Sequence, residues 1–168
     1  LMPDALMTPP SLGKFEIRSF SSLEDILDFA INLEQQAVDF YVKLAPRMSH
    51  PRLRGLFLNF SREEERHKVK LMEVRHTGKK LTGSTKEVEQ LHIADFVPAI
   101  EPTAEMDEKD ALLLAMNEEK AAFRIYKTLA EKTNNDAFKK VFEILAQEEA
   151  KHKLFFETTY EDYIWERL

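Results

Sequence analysis

Four times along this chain, an apolar stripe with α-helical spacing is broken by a glutamate that lies in phase with it. Leu27, Ala30, Glu34, Ala37, Tyr41 and Leu44 form the first stripe; Leu53, Phe57, Phe60, Glu64, His67, Leu71 and Val74 form the second. The third is Leu112, Ala115, Glu119, Ala122, Tyr126 and Leu129, and the fourth is Phe138, Phe142, Leu145, Glu149, His152 and Phe156. Steps of three and four residues keep each set on one helical face. Helices with such faces bury them against one another, so the stripes impose an all-α bundle. The acids then sit inside it, where a carboxylate without a counter-charge costs several kcal/mol.

The four stripes are two copies of one pair. Shifting the sequence by 85 residues, the separation of Glu34 and Glu119, lays 22–75 over 107–160 with no gap. Identities fall on 14 of 54 positions, among them Glu34/Glu119, Tyr41/Tyr126, Phe57/Phe142, Glu64/Glu149, His67/His152 and Lys68/Lys153. The total is modest, but it includes every candidate metal ligand. Each copy reads as a helix hairpin. The first helix opens at Ser22 or Asp107, with an acid three positions on, close to a capping box. Ser49-His50-Pro51 and Asn134-Asn135-Asp136 supply the breaks, with cap-type residues and a proline suited to a first turn. Gly78 is expected to end the second helix, and the fourth to run on through Tyr163 to Trp165.

Between the hairpins, a connection from about His76 to Met106 carries Gly78, Gly83, Pro98 and Pro102. Its apolar piece Leu91 to Val97 could pack across the bundle. About 30 residues can travel the length of a helix of about 37 Å, so the expected fold is a ferritin-like four-helix bundle with one long crossover. Residues 1–19 are expected to be a flexible tail, and 20–168 the bundle domain. Leu1 to Gly13 lacks the basic start and continuous apolar stretch of a signal peptide, and no apolar run approaches a membrane span. A cytoplasmic protein is the expectation.

Four interior glutamates would repel one another unless cations sat among them. Two divalent ions would cancel the charge and use the carboxylate oxygens as ligands. A histidine three residues after a glutamate lies on the same helical face and can reach the same ion. One Glu from each of two helices, plus Glu-x-x-His from each of the others, is the di-iron carboxylate pattern of helix bundles. The expected ligands are therefore Glu34, Glu64, His67, Glu119, Glu149 and His152. Carboxylate and imidazole donors suit iron or manganese. The chain has no cysteine, which removes disulfides, thiolate sites and a cysteine nucleophile from these residues. A net charge of -6 argues against a nucleic-acid partner.

Glu-x-x-His alone says little, because four of the five histidines have it. Glu73/His76 falls off the stripe, Glu89/His92 lies in the connection and His50 in a turn, so these three histidines read as surface residues. For Glu64/His67 and Glu149/His152 the competing reading is a solvated charged face. Helical phase, the 85-residue repeat and the partner glutamates weigh against it. Tyr41 and Tyr126 follow Glu34 and Glu119 by two turns on the same face. Their hydroxyls could hydrogen-bond a ligand carboxylate, or the rings could be core with the hydroxyl elsewhere. Glu63 and Glu148 point about 100° away from the ligands and read as solvated, as does Glu118. Phe155, Phe156, Tyr160, Tyr163, Ile164 and Trp165 form a second apolar surface, suited to the connection or to a subunit contact.

With Glu34-Gln-Gln-Ala37-Val-Asp-Phe-Tyr41, Glu64-Glu-Arg-His67, Glu119-Lys-Ala-Ala122-Phe-Arg-Ile-Tyr126 and Glu149-Ala-Lys-His152, the chain resembles the rubrerythrin branch of the ferritin-like superfamily over about residues 20 to 160. Two departures stand out. No rubredoxin-type centre can be built from a chain without cysteine. Rubrerythrins typically add a glutamate three residues after the third-helix ligand, where this chain has Ala122. Four Glu and two His make a more symmetric set, like that of ferritin or bacterioferritin. The resemblance implies an oxidoreductase with two iron ions per chain, manganese being the lesser alternative. Glu64 and Glu149 would bridge, Glu34 and Glu119 would be terminal, and no other cofactor is implied. The same ligands would carry the catalysis: oxidation of ferrous iron by dioxygen, or reduction of hydrogen peroxide with an external electron donor. Rival readings are iron storage or delivery in a multisubunit shell, and a metal-free structural bundle. A homodimer or larger homo-oligomer is expected.

Overall fold

The computed structural model describes residues 22–77 and 106–167, which hold four long α-helices and no strand. They are α1, Leu23–Leu44; α2, Pro51–Thr77; α3, Glu108–Lys132; and α4, Asp136–Glu166. The chain divides into two compact units, Leu1–Leu81 and Thr82–Leu168, so that α1 and α2 belong to one and α3 and α4 to the other.

In the first unit, Ser22 begins α1 as expected: its backbone is extended and its hydroxyl accepts the Asp25 N–H at 3.1 Å. That bond satisfies one of the backbone donors left over at a helix start. Pro46 does not stop the chain abruptly; Ala45–Arg47 tighten into a 3-10 turn, a feature the sequence reading did not resolve. α2 then begins at Pro51, where the missing N–H costs nothing. His50 caps it, its Nδ1 accepting the Arg52 N–H at 3.1 Å, and the Arg54 guanidinium donates to the Met48 carbonyl at 3.1 Å and ties the turn down. With so short a link, α1 and α2 pack as an antiparallel hairpin. Leu27, Ala30, Tyr41 and Leu44 on α1 are buried, as are Leu53, Phe57, Phe60, Leu71 and Val74 on α2. Far along the hairpin, Arg75 Nε lies 3.0 Å from Asp28 Oδ1, an exposed pair that adds little stability.

The second unit repeats the scheme with different cap chemistry. The Asp107 carboxylate accepts the Asp110 N–H at 2.8 Å, and the Asn135 side chain accepts the Phe138 N–H at 3.1 Å to start α4. α3 and α4 pack as the second hairpin. Here burial is broader: Leu112, Leu113, Leu114, Ala115 and Met116 are all buried, so α3 loses more than a stripe to the interior. α4 runs to Glu166, past the expected Trp165. Phe156 belongs to the core, whereas Phe155 and Trp165 are exposed, so the late apolar surface is split between inside and outside.

Among the described residues, no helix is long and apolar enough to cross a membrane. The expected tail at residues 1–19 lies outside the described residues. So does the connection over 78–105, with Gly78, Leu91–Val97, Glu89 and His92.

Candidate metal centre

Glu34 sits mid-way along α1, and Glu64 and His67 lie one turn apart on α2. The hairpin brings the three together, with ligand atoms within 4.8 Å of one another. His67 Nδ1 is 3.4 Å from a Glu64 oxygen and 3.7 Å from a Glu34 oxygen. The second unit gathers Glu119 of α3 with Glu149 and His152 of α4 in the same way. His152 Nδ1 is 3.6 Å from Glu119 and 3.8 Å from Glu149. The six residues are only 1–8% exposed. All six stand where the apolar stripes placed them, and three and three gather within their own hairpins.

Burial on this scale has an electrostatic cost, and the protonation of the first cluster registers it. Desolvation pushes the Glu34 carboxyl up to about 8, and the neighbouring charge of Glu64 pushes the same way. Burial alone would lower the His67 imidazole. Hydrogen bonding and attraction from Glu34 and Glu64 overcome that and hold it well above its ordinary value. The cluster therefore keeps protons at neutral pH that these groups would release in water.

The donor set fits a hard or borderline divalent cation. Atoms bound at about 2.0–2.2 Å to one ion lie roughly 3–4.4 Å apart, according to whether they are neighbours or opposite one another. The four His–Glu separations, 3.4–3.8 Å, fall inside that range. Two carboxylates and an imidazole, without sulfur, suit iron or manganese better than soft metals.

Tyr41 and Tyr126 are buried in their hairpins. The Tyr41 ring lies nearly parallel to Phe57, with centroids 6.1 Å apart at 14°, and Tyr126 to Phe142, at 6.2 Å and 19°. Glu63 and Glu148, read as solvated, keep 43% and 31% of their side-chain surface. Glu63 pairs with Arg66, and Glu148 with Lys151 at 3.2 Å. Glu118 departs from expectation: it is buried, 3% exposed. The broad burial of α3 explains it, and the unbroken Leu112-Leu113-Leu114 run was the available signal. Lys153 and Glu157, one turn apart on α4, are likewise buried and lie 3.3 Å apart. The sequence reading missed this pair, because Lys and Glu at i, i+4 ordinarily mark a solvated face. His50 and His76 are exposed, as expected.

The family model for rubrerythrin matches residues 25–160, a span that holds both clusters. No curated protein and no solved structure matches this chain. On the extent of the family match, the chain belongs to the rubrerythrin family and has the all-α, ferritin-like four-helix-bundle fold of that class.

Proposed function

We propose that the two clusters together hold a pair of iron ions and that the protein is a di-iron carboxylate oxidoreductase. The observation that carries this reading is the burial of Glu34, Glu64, Glu119 and Glu149, four acids, with one histidine in each hairpin. The family match supports iron as the metal. Glu34, Glu64 and His67 would be the donors of one hairpin, and Glu119, Glu149 and His152 those of the other. A bound iron pair supplies two electrons, one from each ferrous ion, to dioxygen or hydrogen peroxide.

The remaining work falls to the side chains. The carboxylates must give up their protons to bind a cation, and Glu34 and His67 hold theirs at neutral pH. Filling the site thus releases protons into a region closed to bulk water. The apolar layers on either side, Phe57 and Leu71 in one hairpin and Phe142 and Phe156 in the other, exclude water and strengthen each charge interaction inside. Two chemistries fit this reading: ferrous iron as the substrate, oxidised by dioxygen, or iron as the resident centre, reducing peroxide with electrons from an external donor.

Anaerobic loading with ferrous iron, followed by dioxygen or peroxide, tests the proposal. Two irons per chain and rapid oxidation are expected, and the faster oxidant distinguishes the two chemistries. Glu64→Ala and Glu149→Ala should each abolish the paired site. Tight binding of two irons by both variants would refute the ligand assignment. A particle of many subunits holding far more than two irons per chain would replace catalysis with storage.

A further inference from the structure

The two hairpins carry the same donors but differ one residue further along each helix. Gln35 follows Glu34 on α1, and Lys68 follows His67 on α2. A short hydrogen bond crosses the hairpin here: Lys68 Nζ donates to Gln35 Oε1 at 2.6 Å. The Gln35 amide in turn donates to Asp39 Oδ1 at 3.0 Å, and Lys68 Nζ lies 3.1 Å from Glu65 Oε1. Each end of the crossing bond is thus braced along its own helix. Bonds from a charged donor are stronger than neutral ones. The Lys68 side chain is only 20% exposed, which spares this one part of the screening by water and salt.

The shift of 85 residues puts Lys120 at the place of Gln35, Arg124 at Asp39, Ala150 at Glu65 and Lys153 at Lys68. Lysine and arginine side chains have donors and no acceptor. Lys120 and Lys153 therefore cannot make the bond that Gln35 and Lys68 make. Lys153 lies 3.3 Å from Glu157, one turn further along its own helix, where the first hairpin has Met72. At the four corresponding positions the first hairpin has two acids and one lysine, and the second has three bases and an alanine.

The height of the crossing bond says what it serves. Adjacent residues differ by about 100° around a helix. Gln35 and Lys68 therefore join α1 to α2 on a different side from Glu34 and His67, yet at the same level. Parting the helices at this level would stretch the bond, so the donors beside it stay together. Binding a cation then needs no further approach of one helix to the other.

We propose that Gln35 and Lys68 are positioning residues, a strap across the first hairpin that holds Glu34, Glu64 and His67 within reach of one cation, so that this hairpin binds its ion more tightly than the second. This rests on the metal-binding reading and adds to it an order of filling. The charges around the strap act in the same direction, since acids favour a nearby cation and bases oppose it. At Lys68 the two causes have opposite signs. Its charge alone weakens binding of a cation, and its hydrogen bond strengthens it.

The test is cobalt(II) titration of the full chain, followed by the visible absorption of the bound ion. Wild-type protein should bind two cobalt ions with unequal affinity. No binding sinks the metal reading and this one with it; two equal affinities overturn this one alone. Gln35→Met, which changes no charge, should lower the tighter affinity about fivefold, the worth of one net hydrogen bond, and leave the weaker one in place. Lys68→Met should lower the same affinity by about as much, although a cation has been removed. The double variant should lose no more than either single change. Gln35→Glu keeps an acceptor for Lys68 and should match or exceed wild-type affinity. Tighter binding in Lys68→Met, unchanged binding or equal losses at both ions in Gln35→Met, or additive losses in the double variant overturns the strap. Both side chains are half-buried, so the variants should fold, and urea unfolding of the metal-free proteins checks it.

Discussion

Changing the pH from 7 to 9 alters how many protons must leave the Glu34–Glu64–His67 cluster before a cation can enter it. With its carboxyl at about 8, Glu34 is protonated in about nine molecules of ten at pH 7 and in about one of ten at pH 9. His67, held well above its ordinary value, adds to the release at pH 7. Binding in this hairpin should therefore expel between about one and two protons at pH 7, and about 0.8 fewer from Glu34 at pH 9. Each proton released makes affinity rise about tenfold per pH unit, so binding tightens with pH, and the part owed to Glu34 flattens above pH 8. Metal-free protein should respond in the opposite sense. A carboxyl raised from 4.5 to about 8 on folding contributes stability that is full below pH 4.5 and lost as pH rises through 8. At 1.36 kcal/mol per unit, the loss is at most about 5 kcal/mol, and the raised His67 acts in the same direction. Calorimetric titration with cobalt(II) in buffers of different ionisation enthalpy counts the protons. Glu34→Gln should remove about one of them at pH 7. A release that is the same at pH 7 and 9, or unchanged in Glu34→Gln, would refute the reasoning.

Other outcomes follow from the packing. Cobalt(II) or anaerobic ferrous iron at a hundred times its dissociation constant should stabilise the protein by about 2.7 kcal/mol per site, and a chelator should return the melting temperature to that of metal-free protein. Lys153→Met should cost about 3–5 kcal/mol by taking away the cation beside buried Glu157. Lys153→Met with Glu157→Leu should recover most of that loss in urea unfolding; no recovery would mean that the pair is not the source of the cost. Ser22→Ala and Asp107→Ala should each cost about 1 kcal/mol through the lost cap, read as a fall in melting temperature at constant metal content.

Much of this molecule was legible because the chemistry conflicts with the pattern around it. A glutamate in phase with Leu27, Ala30, Tyr41 and Leu44 is either an error of phase or a buried acid, and three further acids in the same setting leave little room for error. The family match and the four helices agree with that reading. Caps were legible too, since Ser22, Asp107 and Asn135 can satisfy helix-end amides locally. What escaped were features set by surroundings beyond the helix itself. Glu118 lies off the stripe, and only the extra burial of α3 brings it inside. Lys153 and Glu157 have the spacing of a surface pair, and nothing in their own sequence says that they are covered. The 3-10 turn at Ala45–Arg47 depends on how the hairpin closes around Pro46, a tertiary condition that local propensity does not encode.

The donors of each cluster lie close along the chain: Glu34 and His67 are 33 positions apart, as are Glu119 and His152. A ribosome making this protein finishes the earlier donor trio before it has begun α3. On the metal-binding reading, an ion held by this hairpin once it has left the ribosome would favour it over the open chain while the remainder is still being synthesised. Metal supply in the cell could then influence how readily the polypeptide matures, separately from any turnover by the finished protein.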